Sequence, residues 1–149
     1  MPEDESEKGE GFVFLRILIG VLFILHGVIH GILAVMPNPN AAKPVVATFF
    51  SEWASAWLRG TLSGSALQII AIVLAVIAGL GFIAAGLAIF DFLLPHDWWR
   101  ALAIASSVVS LILCALFWNT YLIVGPVVAI GIIVVVGLLR WPTEAMLGY

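Results

Sequence analysis

The chain has 149 residues, of which 63% are hydrophobic and only 10% charged, and its net charge is −3. That balance excludes an ordinary soluble domain, where about a quarter of the residues carry charge. No basic patch is present, which excludes nucleic acid as a partner.

Residues 1–10 set Glu3, Asp4, Glu5, Glu7 and Glu10 against Lys8, the composition of a solvated, poorly ordered tail. The negative net charge comes largely from this tail. Four apolar stretches follow, 12–35, 66–90, 101–118 and 121–139. Each is near the roughly 20 residues that cross about 30 Å of hydrocarbon. The sequence predicts an all-α membrane protein, a four-transmembrane-helix bundle over residues 11–141.

The first stretch has an acidic flank and exceeds the roughly 7–15 apolar residues of a leader peptide, so it reads as an uncleaved helix. On a helical wheel Ile17, Leu18, Val21, Leu22, Leu25, Val28, Ile29 and Ile32 share a lipid face. Gly20, Gly27 and Gly31 fall on the other side, beside a strip of Arg16, Phe23, His26 and His30. Both histidines therefore face inward.

The connection 36–65 is long and has a pattern of its own. In "VVATFFSEWASAWLRG", Val46, Phe49, Phe50, Trp53 and Trp57 recur at helical spacing, between Pro44 and Gly60. This predicts an amphipathic helix over 45–59, lying at the membrane surface as an anchor or, alternatively, serving as a lid or docking surface.

Ser65 and Gln68 have capping-box spacing at the start of the second span. Within it Ala71, Ala75 and Gly79 follow small-xxx-small spacing, with Gly86 on the same side as Gly79, a pattern that lets helices approach closely. In "DFLLPHDWWR", Asp97 is placed to cap the third span, His96 to be exposed, and Trp98, Trp99 and Arg100 to lie at headgroup depth. The third span carries Ser106, Ser107, Ser110 and Cys114 on one stripe. Asn119 and Thr120 leave a tight turn into the fourth span, where Gly125-Pro126 marks a kink. Residues 142–149 read as a short tail.

Lys8, Arg16, Arg100 and Arg140 lie on the side of the termini, against Lys43 and Arg59 on the other. This places the termini in the cytoplasm and the protein in the cytoplasmic membrane of the cell. The single cysteine, Cys114, permits no intramolecular disulfide and tells nothing of the redox compartment.

Two titratable side chains in hydrocarbon are costly and call for a reason. His26 and His30 have three readings. Each hydrogen-bonds a neighbouring helix, for which the serine stripe offers partners. Or they contact a quinone, a haem or another small molecule, through single ligation or a hydrogen bond. Or they bind a metal, for which spacing of four suits two ligands but no acid lies between them and only Cys114 offers a third ligand. Arg16 either snorkels to the headgroups or binds a lipid phosphate or quinone. No Asp, Glu or Lys lies at mid-depth, and no nucleophile set, glycine-rich loop or Cys-x-x-Cys is present. The sequence therefore predicts a non-catalytic protein, and four helices are few for a repeat-built transporter or small-solute carrier.

"FLRILIGVLFILHGVIHG", through Arg16, Gly20, Phe23, His26 and Gly27, resembles the opening of DoxX-like small membrane proteins. "PHDWWR" and "LFWN" are similar to the corresponding stretches of four-helix bacterial and archaeal membrane proteins. The resemblance implies a four-helix bundle that serves as an accessory subunit of a quinol-oxidising or thiol-related membrane complex. The lone Cys114 offers no pair for a thiol relay. Two functions follow as expectations. One is a non-catalytic accessory or structural subunit, in contact with lipid and with other membrane subunits or further copies of itself. The other is a redox-associated component holding a quinone, haem or metal through His26 and His30, with Arg16 nearby.

Overall fold

The computed structural model describes residues 3–36, 54–118 and 123–149. Among them are helices and turns and no strand. Helix α1 covers Glu3–Val35, α2 Ala56–Thr61, α3 Gly64–Ile89, α4 Trp99–Leu116 and α5 Val124–Ile132. A π-helical segment, Ile133–Leu138, continues α5, and short 3-10 turns at His96–Trp98 and Glu144–Leu147 complete the set. Gly11–Val35, Gly64–Ile89 and His96–Leu116 are long and apolar enough to cross a membrane, while Val124–Leu138 is shorter. The protein is a helical membrane bundle whose apolar exterior meets lipid.

α1 packs on α3, α3 on α4, and α4 on α5. α1 and α3 meet glycine on glycine. A Cβ at Gly79 would stand 2.8 Å from the Gly27 carbonyl, and one at Gly86 would stand 2.6 Å from the Gly20 carbonyl. Without side chains at these points the two backbones come together and gain dispersion along their length, which lipid cannot supply equally. Gly79 and Gly86 of the expected small-residue side thus lie at the α1 interface, while Ala71 and Ala75 are buried in a cluster that also takes in Leu113 of α4 and Phe117 just after it. All eight residues expected on the lipid face of α1 are exposed, from Val21 at 41% to Leu22 at 55%.

Two buried clusters stabilise the bundle. Toward the termini lie Phe23, Phe82, Ile89, Trp99, Val136 and Leu147. At the opposite end Leu58, Leu67, Ala71, Ala75, Leu113 and Phe117 come together. There Ser55 fastens α2 to the end of α4, its backbone N–H and its Oγ both donating to Leu116 O at 2.9 and 3.0 Å.

Several local expectations are corrected. Helix α1 begins at Glu3, ahead of the expected start at 12. Of the surface helix expected over 45–59, residues up to 53 lie outside the described residues, and the described part is the six-residue α2 with Trp57 exposed and Leu58 buried. The α3 cap is Ser63, whose Oγ accepts from Ala66 N at 3.3 Å, so Ser65 falls inside the helix. Asp97 lies in the 3-10 turn and caps nothing, because α4 starts from Trp98 without a side-chain cap. His96 is buried rather than exposed, and Trp99 beside it is fully buried within the bundle. Asn119, Thr120 and Tyr121 lie outside the described residues. The segment 142–149, expected as a short tail, is folded onto the bundle: Thr143 caps a 3-10 turn, its Oγ1 accepting from Met146 N at 3.3 Å, and Leu147 enters the core.

Candidate functional site

The inward strip of α1 carries the polar groups. His30 is buried, and its Nδ1 lies 3.1 Å from the His26 carbonyl one turn earlier. A carbonyl only accepts, so Nδ1 carries the proton and the other nitrogen of the neutral ring is an acceptor. Ser110 Oγ of α4, 3.0 Å from that Nε2, is accordingly the donor. Ser106 and Ser107 instead turn back onto the carbonyls of Leu102 and Ala103 at 2.7 and 2.8 Å. Both nitrogens of His30 are used within the protein.

His26 differs. Its ring meets the Phe82 ring edge-on at 4.6 Å and the His30 ring at 4.8 Å, contacts that orient it without satisfying it. Its Nε2 is buried and has no hydrogen-bond partner among the described residues. An orphaned buried nitrogen costs about 1–3 kcal/mol unless something arrives to bond it.

The row of helices curls so that α1 and α5 face each other without packing along their length. The crevice between them holds two chambers that share His26. The larger, about 480 Å³, is walled by Ile19, Leu22 and Phe23 of α1 and by Val128, Val135, Val136, Trp141 and Pro142 opposite. The smaller, about 240 Å³, runs the other way past His30, Ser110, Cys114 and Gly125. Apart from His26 the larger chamber is lined by apolar side chains. Within the spanning part of α1, Gly11–Val35, His26 lies about 22 Å from one end and about 13 Å from the other, at about 1.5 Å per residue. It is a polar residue far from either end of the apolar span.

Arg16 is not part of this site. It stands about 15 Å earlier along α1, its Nε donating to Ile89 O at 3.0 Å and its guanidinium 4.3 Å from the Tyr149 ring centre. There it joins a second polar cluster that sequence reasoning missed. Tyr149 stacks on His96 at 3.5 Å and donates its hydroxyl to Ile89 O at 2.9 Å. His96 Nε2 meets Glu144 Oε2 at 2.5 Å, and Arg100 Nε donates to Glu144 Oε1 at 2.9 Å. Asp91, in the left-handed conformation at φ 54°, accepts from the His96 backbone N–H at 3.3 Å. Burial would raise the Glu144 carboxyl, but the hydrogen bonds from His96 and Arg100 and their charges hold it below the ordinary carboxylate range. Burial pushes the Tyr149 phenol up, with Arg16 opposing. One signal for this cluster was present: acids outside the first ten residues are few, and Glu144 has few bases to choose from.

No group of three His, Cys, Asp or Glu suited to a metal ion forms among the described residues. With His30 bonded at both nitrogens, the buried ring nitrogen left without a partner among the described residues is His26 Nε2, which suits a single hydrogen bond to a bound molecule. No family model matches the chain, and no curated protein or solved structure matches it.

Proposed function

We propose that the protein is a non-catalytic membrane protein that holds a lipid-soluble molecule with a ring oxygen, of the quinone type, in the α1–α5 crevice. The observation that carries this reading is the buried, unpartnered Nε2 of His26, a residue that lines both the larger, apolar chamber and the smaller one. A phospholipid keeps its head at the interface, so a lone polar group deep in the span selects an apolar skeleton bearing one accessible oxygen. A hydrogen bond of about 1 kcal/mol contributes roughly fivefold to affinity. Tetramethylbenzoquinone titrated into the purified chain should therefore bind saturably, and His26→Ala should weaken it by about that factor. Equal affinity in wild type and His26→Ala would remove the reading.

In this reading α5 belongs to the fourth span, and α2, with Trp57 exposed, lies at the membrane surface. The termini are cytoplasmic, with Arg16, Arg100 and Arg140 at their end of the bundle and Arg59 at the other. The residues of the DoxX-like resemblance, Arg16, Gly20, Phe23, His26 and Gly27, all belong to the inward strip, and we place the chain beside that family on this likeness.

A second reading, the accessory subunit, is favoured by the continuous exposed face of α1 from Ile17 to Ile32, broad enough for a neighbouring helix as well as lipid. A mild-detergent pull-down from native membranes tests it. A stoichiometric membrane partner supports the subunit, and recovery of the chain alone as a monomer ends it.

A further inference from the structure

We infer that His96, Glu144 and Arg100 form a clamp that fixes the wall of the α1–α5 crevice and so positions the ligand without touching it. The inference rests on the reading of that crevice as a ligand site. Val136, Trp141 and Pro142 line the larger chamber at the end near the termini. Arg100 reaches two of these residues from behind. Its Nη1 donates to Val136 O at 3.3 Å, and its Nη2 donates to Pro142 O. The same guanidinium donates from Nε to Glu144 at 2.9 Å, and the other carboxylate oxygen is held by His96 at 2.5 Å.

His96 stands in the 3-10 turn that leads into α4 and Arg100 in the first turn of α4, so a single carboxylate is gripped on both oxygens from neighbouring turns of the chain. Val136 lies in the π-helical segment, where the regular backbone ladder is interrupted. Its carbonyl and that of Pro142 take their donors from Arg100. The planar fork of arginine can serve three acceptors in fixed directions, whereas a lysine ammonium on its flexible stem cannot span them. Releasing the guanidinium frees the wall to move toward or away from α1, which alters the chamber at Trp141 and Pro142. The groups around Glu144 are His96 and Arg100, with Tyr149 stacked on His96, Arg16 over Tyr149, and Asp91 at the His96 backbone.

The test compares two probes on the purified full chain: tetramethylbenzoquinone, followed by quenching of tryptophan fluorescence, and tetramethylbenzene, followed by relief of that quenching. The hydrocarbon reports the shape of the chamber and has no oxygen for His26. Arg100→Lys and Glu144→Gln should each weaken both probes by about fivefold, the scale of one lost hydrogen bond behind the wall. His26→Ala, which also removes a ring from the chamber wall, should weaken the quinone more than the hydrocarbon. In wild type the hydrocarbon's affinity should fall as the pH drops through the titration of Glu144, below the ordinary carboxylate range, and Glu144→Gln should show no such step. A merely structural arginine would give no pH step in the binding of a hydrocarbon.

Should Arg100→Lys fail to fold, Glu144→Gln and the wild-type pH profile decide alone. Wild-type affinity for both probes in Glu144→Gln, or a flat wild-type profile for the hydrocarbon, overturns the clamp. If wild type binds neither probe, the ligand reading falls and the clamp falls with it. If the hydrocarbon responds as expected and His26→Ala keeps full quinone affinity, the role of His26 falls and the clamp stands.

Discussion

Ser110 donates a hydrogen bond to His30 Nε2 at 3.0 Å, tying α4 to α1 although each of these helices packs chiefly on α3 between them. The His26 carbonyl fixes the proton on the other nitrogen, so the serine is the only component of the pair able to donate. Ser110→Ala leaves a buried ring nitrogen without its partner. It should destabilise the bundle by about 1 kcal/mol, the scale of polar contacts between membrane helices. Unfolding in mixed micelles at rising denaturing-detergent fraction checks this, and a double-mutant cycle with His30→Phe should return most of that energy as coupling. A coupling near zero would mean that the hydrogen bond does not hold the helices.

Gly79 sits where any side chain must displace backbone. A Cβ there would stand 2.8 Å from the Gly27 carbonyl and 3.3 Å from His30 Cβ. Gly79→Ala should cost about 1–3 kcal/mol as the helices part to admit one methyl group. Gly31, where a Cβ would meet nothing within 4 Å, provides the control, and Gly31→Ala should leave stability almost unchanged. The same micelle unfolding assay ranks the two, and equal stabilities would contradict the close contact.

Helix α1 was readable because its pattern is local: large apolar residues at helical spacing define one face, and whatever is small or polar must point the other way. The glycine contact of Gly79 and Gly86 was readable for the same reason. The cap at Ser63 was harder, since Ser63 and Ser65 both stand at plausible positions and only the backbone path chooses between them. The His96–Glu144 contact joins residues 48 apart in sequence, and no periodicity reports a pairing of that range. His96 therefore read as an ordinary boundary residue and 142–149 as a tail. The π-helical segment lies in a β-branched run, "IVVVG", whose uniformity hides any shift in period. In the candidate site the inward direction of His26 and His30 could be read from the wheel. That one is saturated and the other is not depends on where Ser110 stands across the bundle.

The C-terminal turn should give the protein a pH-dependent stability with opposite signs at the two extremes. Glu144 has its folded-state pKa lowered, since the bonds from His96 and Arg100 outweigh burial. Its contribution is therefore present above the ordinary carboxylate range and is lost as the pH falls through the lowered value. The step is modest because the side chain is 47% exposed and solvent screens the pair. Tyr149 has its folded-state pKa raised, chiefly by partial burial, and its step too is modest because the residue is 44% exposed. Its contribution is present below the ordinary tyrosine range, near about 10, and is lost as the pH rises toward the raised value. Thermal unfolding across that span should show both declines. Glu144→Gln should abolish the acid one and Tyr149→Phe the alkaline one, and a profile unchanged by either substitution would contradict the contacts.

Trp99 is fully buried, its ring 6.4 Å from that of Phe23 and under the Arg100 guanidinium at 4.4 Å, yet its indole N–H has no partner among the described residues. What the tryptophan contributes is therefore ring area, and its nitrogen is a burden. Trp99→Phe keeps an aromatic face for Phe23 and Arg100 and removes the orphaned donor, so the lost volume and the relieved desolvation act in opposite directions. Its stability should stay within about 1 kcal/mol of wild type. Trp99→Ala removes the whole ring from the cluster near the termini and should cost about 3–5 kcal/mol. The decisive quantity is the gap between the two variants in the micelle unfolding assay. If Trp99→Phe proves as costly as Trp99→Ala, the nitrogen is bonded in the folded protein and the burial of Trp99 is governed by that bond rather than by packing.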